Sequence, residues 1–263
     1  MTYVLQTNLD AQQRLRIQHE LYEKSSQQFL LQSGLIPGMR VLEIGCGPGL
    51  MTPWLAQSVT QSGHVTAIDS DGGYIELTQE SCKEFPQVMT LKKNLYELSA
   101  DSSYDLIYCR LVLHHLSDPE AAIKIMLNAL KHKGILVCEE VPANEGIFAY
   151  PHSPALEKLV TLVTKCFKAN GADYNIAYRL ASLFKTYKLA HIQQQLFQPL
   201  ATVSKYRLLH GMGLQELGVK MLEFGILTRE ELNALDAKLK VELEAADSVS
   251  LYKMFQVSGM KVG

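Results

Sequence analysis

Short apolar blocks alternate with longer amphipathic stretches through the first half of the chain. "VLEI" (41–44), "HVTAID" (64–69), "YDLIYC" (104–109) and "ILVCEEV" (135–141) are runs of four to seven residues. Such runs predict buried strands, the first over 40–44, with a weaker one near 88–92. Between them the period lengthens. Leu15, Tyr22 and Phe29 punctuate a polar stretch over 11–33, which predicts a helix ending near Ser33-Gly34. A second helix is expected over 52–58, with Leu55 and Val59 on one face, and a third over about 73–84. Asp118-Pro119-Glu120 supplies a capping acid and then proline at the first helical position. Ile123, Met126, Leu127 and Leu130 follow at i, i+3, i+4, i+7, and Lys131, Lys133 and Gly134 end that helix. Strands alternating with helices predict an α/β fold, a mostly parallel sheet with helices on both faces.

After residue 142 the pattern changes. Ser153-Pro154 opens a helix whose Leu156, Leu159, Val160 and Val163 share a face, and residues 174–188 read as another. Further helices are expected near 205–224 and 229–246, the last starting with Thr228 and Glu231 at capping-box spacing. "HIQQQLFQ" (191–198) and "SLYKMFQV" (250–257) read as strands. The sheet needs fewer covering helices than this. The expected organisation is an N-terminal helix and core over 1–142, then helical insertions over 143–263 that form a lid. The last two strands complete the same sheet, so the whole is one domain.

Composition narrows the function. A net charge of −2 argues against a nucleic-acid surface, which is usually clearly basic. No apolar run reaches the roughly 20 residues of a membrane-spanning helix, so no membrane partner is expected. "MTYVLQTNLD" lacks the basic start and apolar core of a signal peptide. The cysteines, at 46, 82, 109, 138 and 166, are odd in number and form no C-x-x-C pair. A cytoplasmic setting with free thiols and no metal site is therefore expected.

The chemistry concentrates in "VLEIGCGPGL" (41–50). A P-loop needs a lysine after its last glycine, and none follows Gly49. The dinucleotide fingerprint would put its third glycine at position 50, which is Leu50. Glu43 just before the turn would face a pyrophosphate badly but suits a ligand with an ammonium and a sulfonium. Asp69, 24 residues beyond Gly45 at the end of the second strand, can accept from two ribose hydroxyls, as in both nicotinamide and S-adenosylmethionine (SAM) sites. On these residues alone the NAD(P) reading is weakened but stays open.

Taken with "LVLHHLSDPEAAIKIMLNALKHKGILV", the segment Glu43-Ile44-Gly45-Cys46-Gly47-Pro48-Gly49 and Asp69 resemble the class I SAM-dependent methyltransferase family over about residues 38–141. The resemblance implies a Rossmann-like sheet of seven strands, the last antiparallel, with 191–198 and 250–257 as the sixth and seventh. It also implies roles. The backbone of Gly45, Cys46 and Gly47 approaches the methionine moiety, Gly49 permits the tight turn, and Glu43 sits beside the amino group. Asp69 holds the ribose with Ser70 next to it. Asn94-Leu95 stand where the family often has an acid followed by a small or apolar residue against the adenine. Arg110 offers its carbonyl to the amine, and Tyr3 resembles an N-terminal tyrosine that folds over the cofactor in some members.

Methyl transfer from a sulfonium needs alignment and a water-poor pocket more than a triad or metal. A base matters only if the acceptor must lose a proton, and His114, His115, His152 and His210 are the candidates, with Tyr150 and Tyr206 as pocket walls. His114-His115 also read as a packing element, and Cys46 as a small spacer. The apolar C-terminal helices suit a small-molecule acceptor. A NAD(P)-dependent oxidoreductase, a catalytically silent SAM-binding protein and an RNA methyltransferase are the rival readings.

Overall fold

Continuous apolar runs become the centre of one sheet. The computed structural model describes residues 9–99, 101–142, 146–171, 173 and 175–262. Helix α1 (Leu9–Ser33) precedes β1 (Arg40–Ile44), α2 (Thr52–Val59), β2 (His64–Asp69), α3 (Gly72–Ser81) and β3 (Val88–Lys92). Then come β4 (Tyr104–Arg110), α4 (Pro119–Ala129), β5 (Leu130–Glu140), a short β6 (Ala149–Tyr150), α5 (Pro154–Ala169) and α6 (Ile176–Thr186). The chain ends with β7 (Ala190–Phe197), α7 (Ser204–Glu223), α8 (Arg229–Ala245), β8 (Ser248–Val249) and β9 (Met254–Met260).

The seven-stranded sheet has the order β3-β2-β1-β4-β5-β9-β7, and β9 runs antiparallel to both its neighbours. The other strands pair in parallel, so the central runs need cover on both faces. Alternate residues divide accordingly. Leu42, Ile44, Ile107, Leu136 and Cys138 pack against α4 and α6, while Val41, Leu106, Tyr108 and Val137 pack against α1 and α2. A further apolar core, built from α5, α7, α8 and part of α1, reaches Val141 and Met254 at the ends of β5 and β9. Leu232, Leu235, Leu239 and Leu243 are all buried there, as their spacing predicts.

Three boundaries move. The α4 helix stops at Ala129 and Leu130 already belongs to β5, where it pairs with Tyr104 across an irregular step in the ladder. The turn signals at Lys131, Lys133 and Gly134 therefore lie inside the strand, and a Cβ on Gly134 would sit 2.9 Å from Leu130. The final strand begins at Met254 and not at 250, because Ser248-Val249 pair instead with Ala149-Tyr150 in a separate two-stranded sheet. The α3 helix ends at Ser81, short of Glu84.

The capping box of α8 forms as its spacing predicts. Thr228 Oγ1 accepts from the Glu231 N–H at 3.2 Å, and Glu231 accepts from the Thr228 N–H at 2.8 Å. Thr228→Ala is expected to lower stability by about 1 kcal/mol in urea unfolding. An unchanged midpoint would mean that packing on α7 alone fixes this helix start.

Candidate functional site

A cavity of about 630 Å³ lies beyond the carboxyl ends of β1, β2 and β4. Open α/β sheets carry ligands in this position, outside the strand ends where the strand order reverses. The glycine turn forms one wall. Gly45, Gly47 and Gly49 all have positive φ, 65°, 54° and 72°. A Cβ on Gly45 would come 2.3 Å from Val112, and one on Gly49 would come 2.8 Å from the Thr78 backbone. A Cβ on Gly47 would meet nothing within 4 Å. Gly45 and Gly49 thus serve close packing, and Gly47 leaves bare backbone on the cavity. Gly49, expected among the cofactor-binding residues, does not line the cavity and serves the turn alone.

Two carboxylates flank that backbone. Asp69 accepts from the Gly47 N–H and the Asp71 N–H, both at 2.9 Å, so β2 and the glycine turn are tied through it. Burial still holds its pKa above the ordinary value. Glu43 points to the α2 side and accepts from Thr52 Oγ1 at 2.6 Å. It is 4% exposed, and burial pushes its pKa up to about 7 against the pull of Thr52 and Arg110. A carboxyl this dry is short of a cationic partner. Cys46 lines the cavity too, but burial raises its thiol pKa, which suits a spacer and not a nucleophile.

Ser70, Asn94 and Leu95 line the same cavity. The Asn94 amide oxygen accepts from the Tyr96 N–H at 3.0 Å and so caps a short turn, which leaves its second lone pair for a ligand. The Arg110 guanidinium turns towards α1, donating to Ser26 Oγ at 3.3 Å and His19 Nδ1 at 3.2 Å. Burial, then Arg110, lowers the His19 pKa to about 4, so that ring accepts as a neutral group. Tyr3 lies outside the described residues.

The turn after β4 is pinned from below. Leu111 has φ 59°, a left-handed conformation that costs a non-glycine residue about 1–3 kcal/mol. Glu140, fully buried at the end of β5, holds the next residues by accepting from Val112 N at 3.0 Å and Leu113 N at 2.7 Å. It also contacts His114 Nδ1. His114 therefore shapes the turn, and with His115 it also lines the cavity. His115 is neutral, its pKa pushed well down by burial and then by His114 and Arg14. Beside it, Glu139 accepts from Ser26 at 2.5 Å, Tyr108 at 3.1 Å and Gln256 at 2.8 Å. The two acids follow the apolar run Ile135–Cys138 at the end of β5, and that interruption was the signal available for them.

Of the other candidates, His210 lines the cavity, whereas His152, Tyr150 and Tyr206 do not. His152 is 71% exposed beside Glu157, and Tyr150 is 67% exposed. Their place as wall or base is thus corrected: Tyr150 belongs to β6 and pairs with Ser248, and His152 lies just before the Ser153 cap of α5. Sequence reasoning missed Arg14, whose Nε meets Glu216 Oε1 at 2.6 Å and joins α1 to α7. It also missed Tyr252, which lines the cavity next to His210. Among the described residues no helix is long and apolar enough to cross a membrane.

Comparison with known proteins gives a consistent picture. A family model described as a methyltransferase domain matches residues 15–217. The demethylmenaquinone methyltransferase of Staphylococcus aureus is 28% identical over 149 residues, 56% of this chain and 58% of that one. The ubiquinone biosynthesis O-methyltransferase of Xanthomonas campestris is 32% identical over 117 residues, 43% of this chain and 48% of that one. An uncharacterised Synechococcus protein is 34% identical over 101 residues, 37% of this chain and 24% of that one. The chain thus spans well under two thirds of these relatives. Among solved structures, the YcgJ protein of Bacillus subtilis has a TM-score of 0.62 at 18% identity, covering 92% of this chain and 99% of that one. A Haemonchus contortus phosphoethanolamine N-methyltransferase with S-adenosylhomocysteine bound has a TM-score of 0.59 at 14% identity, covering 91% and 53%. At these identities the two structures speak for the fold.

Proposed function

We propose, since this chain belongs to the methyltransferase-domain family, that its cavity binds SAM and passes a methyl group to a small-molecule acceptor. The observation that carries the reading is the pair of carboxylates, buried Glu43 and half-buried Asp69, that line the cavity with the bare Gly47 backbone. The residues fit the cofactor. An ammonium answers the charge that burial disfavours on Glu43, and ribose hydroxyls can donate to the lone pairs left on Asp69. When bound, SAM supplies a methyl group on a positively charged sulfur. The protein's part is alignment and exclusion of water.

In this reading the backbone of Gly45, Cys46 and Gly47 faces the methionine moiety, with the Arg110 carbonyl near the amine. Asp69 and Ser70 hold the ribose, and Asn94 and Leu95 border the adenine. Helices α5 and α7, backed by α8, act as a lid over the acceptor, whereas α6, expected from the sequence to be part of it, covers the sheet instead. The names of the menaquinone and ubiquinone methyltransferases support a small acceptor, and the net charge of −2 weighs against RNA. Titration with S-adenosylhomocysteine and with NADH separates the main rivals. S-adenosylhomocysteine should bind and NADH should not; no heat or shift with S-adenosylhomocysteine sinks the proposal.

Glu43 gives that titration a pH signature. Its carboxyl titrates at about 7 in the free protein, and a bound ammonium favours the carboxylate, so binding releases a proton at lower pH. Affinity for S-adenosylhomocysteine should rise about tenfold from pH 6 to pH 8 and level off above. 5′-Methylthioadenosine, which lacks the amino acid, should show no such slope, nor should Glu43→Gln. Equal slopes for the two ligands would remove Glu43 from the amine. The stability of the free protein runs the other way. Because the folded pKa is raised from 4.5 to about 7, the contribution of Glu43 is complete below about 4.5 and is lost as pH rises through 7.

A further inference from the structure

The acceptor end of the cavity has an apolar wall with two polar groups set into it. Leu159, Val163 and Phe167 of α5, Leu214 and Leu217 of α7, and Met254 supply the apolar part. His210 and Tyr252 supply the polar part, their rings edge to face with centroids 5.6 Å apart.

The His210 ring is oriented by a backbone carbonyl. Its Nε2 lies 2.9 Å from the Ser250 oxygen, and a carbonyl can only accept, so Nε2 carries the hydrogen. Nδ1 then carries the lone pair, on a side chain that is 1% exposed and lines the cavity. Among the described residues it makes no other hydrogen bond. Burial lowers its pKa to about 4, so the ring stays a neutral acceptor at ordinary pH. The Tyr252 hydroxyl likewise has no hydrogen bond to another described residue. A Cβ at position 213 would come within 3.4 Å of it, so Gly213 keeps the space in front of that hydroxyl free.

Charge at this end is already matched. Arg14 and Glu216 act in opposite senses on Tyr252 and pair with each other at 2.6 Å. Among the described residues of this wall, the two charged groups thus answer each other, which favours a neutral ligand over an ionised one. An acceptor nitrogen set into an apolar wall is best matched by a ligand that brings a donor to Nδ1.

We infer that the acceptor is an uncharged, largely apolar molecule bearing a hydroxyl group, which donates to His210 Nδ1 and lies within reach of the Tyr252 hydroxyl. The inference rests on the proposed methyltransferase reading and adds the chemical class of acceptor to it. His210 and Tyr252 are its recognition pair.

The test uses the full chain saturated with S-adenosylhomocysteine and titrated with 1-naphthol and with its methyl ether, 1-methoxynaphthalene. The ether keeps the apolar body and loses only the donor. Naphthol should bind at least about tenfold more tightly than the ether. His210→Phe should erase that preference, and Tyr252→Phe, which removes a single oxygen, should reduce it. S-adenosylhomocysteine titrated alone into each protein reports separately on the fold and on the cofactor half. If S-adenosylhomocysteine fails to bind the unaltered chain, the methyltransferase reading falls. If it binds while naphthol and ether behave alike, including neither binding, the hydroxyl inference is overturned and the cofactor reading stands. A preference that survives His210→Phe in a folded protein also overturns it.

Discussion

Asp69→Ala is expected to weaken S-adenosylhomocysteine binding about 100-fold. Charge-assisted hydrogen bonds contribute about 1.5–3 kcal/mol each, and the proposed ribose contact makes two of them at a half-buried carboxylate. The substitution also frees the Gly47 and Asp71 N–H groups that Asp69 holds at 2.9 Å, so the glycine turn loosens as well. Asp69→Asn gives an intermediate case. It keeps one acceptor oxygen, so it should lose less affinity than alanine, but its amide nitrogen then faces one of the two N–H groups that Oδ1 and Oδ2 hold, so it should also be less stable than the unaltered chain. Isothermal titration of both variants checks this. Unchanged affinity in Asp69→Ala would place the ligand elsewhere.

Glu140→Ala carries the largest expected effect on stability, about 3–5 kcal/mol lost. The carboxylate is fully buried and serves Val112 N, Leu113 N and His114 together. Removing it takes the Glu140 acceptor from a half-buried and a buried N–H group and from His114, next to the left-handed Leu111. The turn that packs against Gly45 through Val112 would shift, so cofactor affinity should fall along with stability. Urea unfolding and S-adenosylhomocysteine titration of the same variant measure both losses. A loss under about 1 kcal/mol would mean that water or a rearranged turn replaces the carboxylate at little cost.

The central strands were legible because strands buried on both faces need continuous apolar runs, and "YDLIYC" and "ILVCEEV" have no other place to go. The end of α4 was not, since Leu130 satisfies the helical period and the strand ladder equally well. Only pairing with Tyr104, far away in the chain, decides between them. The two-residue strands at 149–150 and 248–249 are too short to carry any period, which is why the last strand was placed four residues early.

The site divides in a similar way. The glycine turn and Asp69 were readable because backbone geometry demands glycine at positive φ and because the acid ends the next strand at a set distance from that turn. The acceptor wall was not readable. Arg14 meets Glu216 across 202 residues, and Tyr22 donates to the Tyr252 carbonyl across 230. No local pattern announces such pairs. His210 was visible as a candidate only among several histidines, and the Ser250 carbonyl that sets its tautomer became apparent in the fold.

A crystal structure of the chain with S-adenosylhomocysteine tests the central claim most directly. The account predicts the nucleoside in the cavity of about 630 Å³, with ribose hydroxyls on Asp69, the amino group beside Glu43 and the sulfur facing the wall of His210 and Tyr252. Ligand bound away from the glycine turn, or turned so that its amine avoids Glu43, would contradict it.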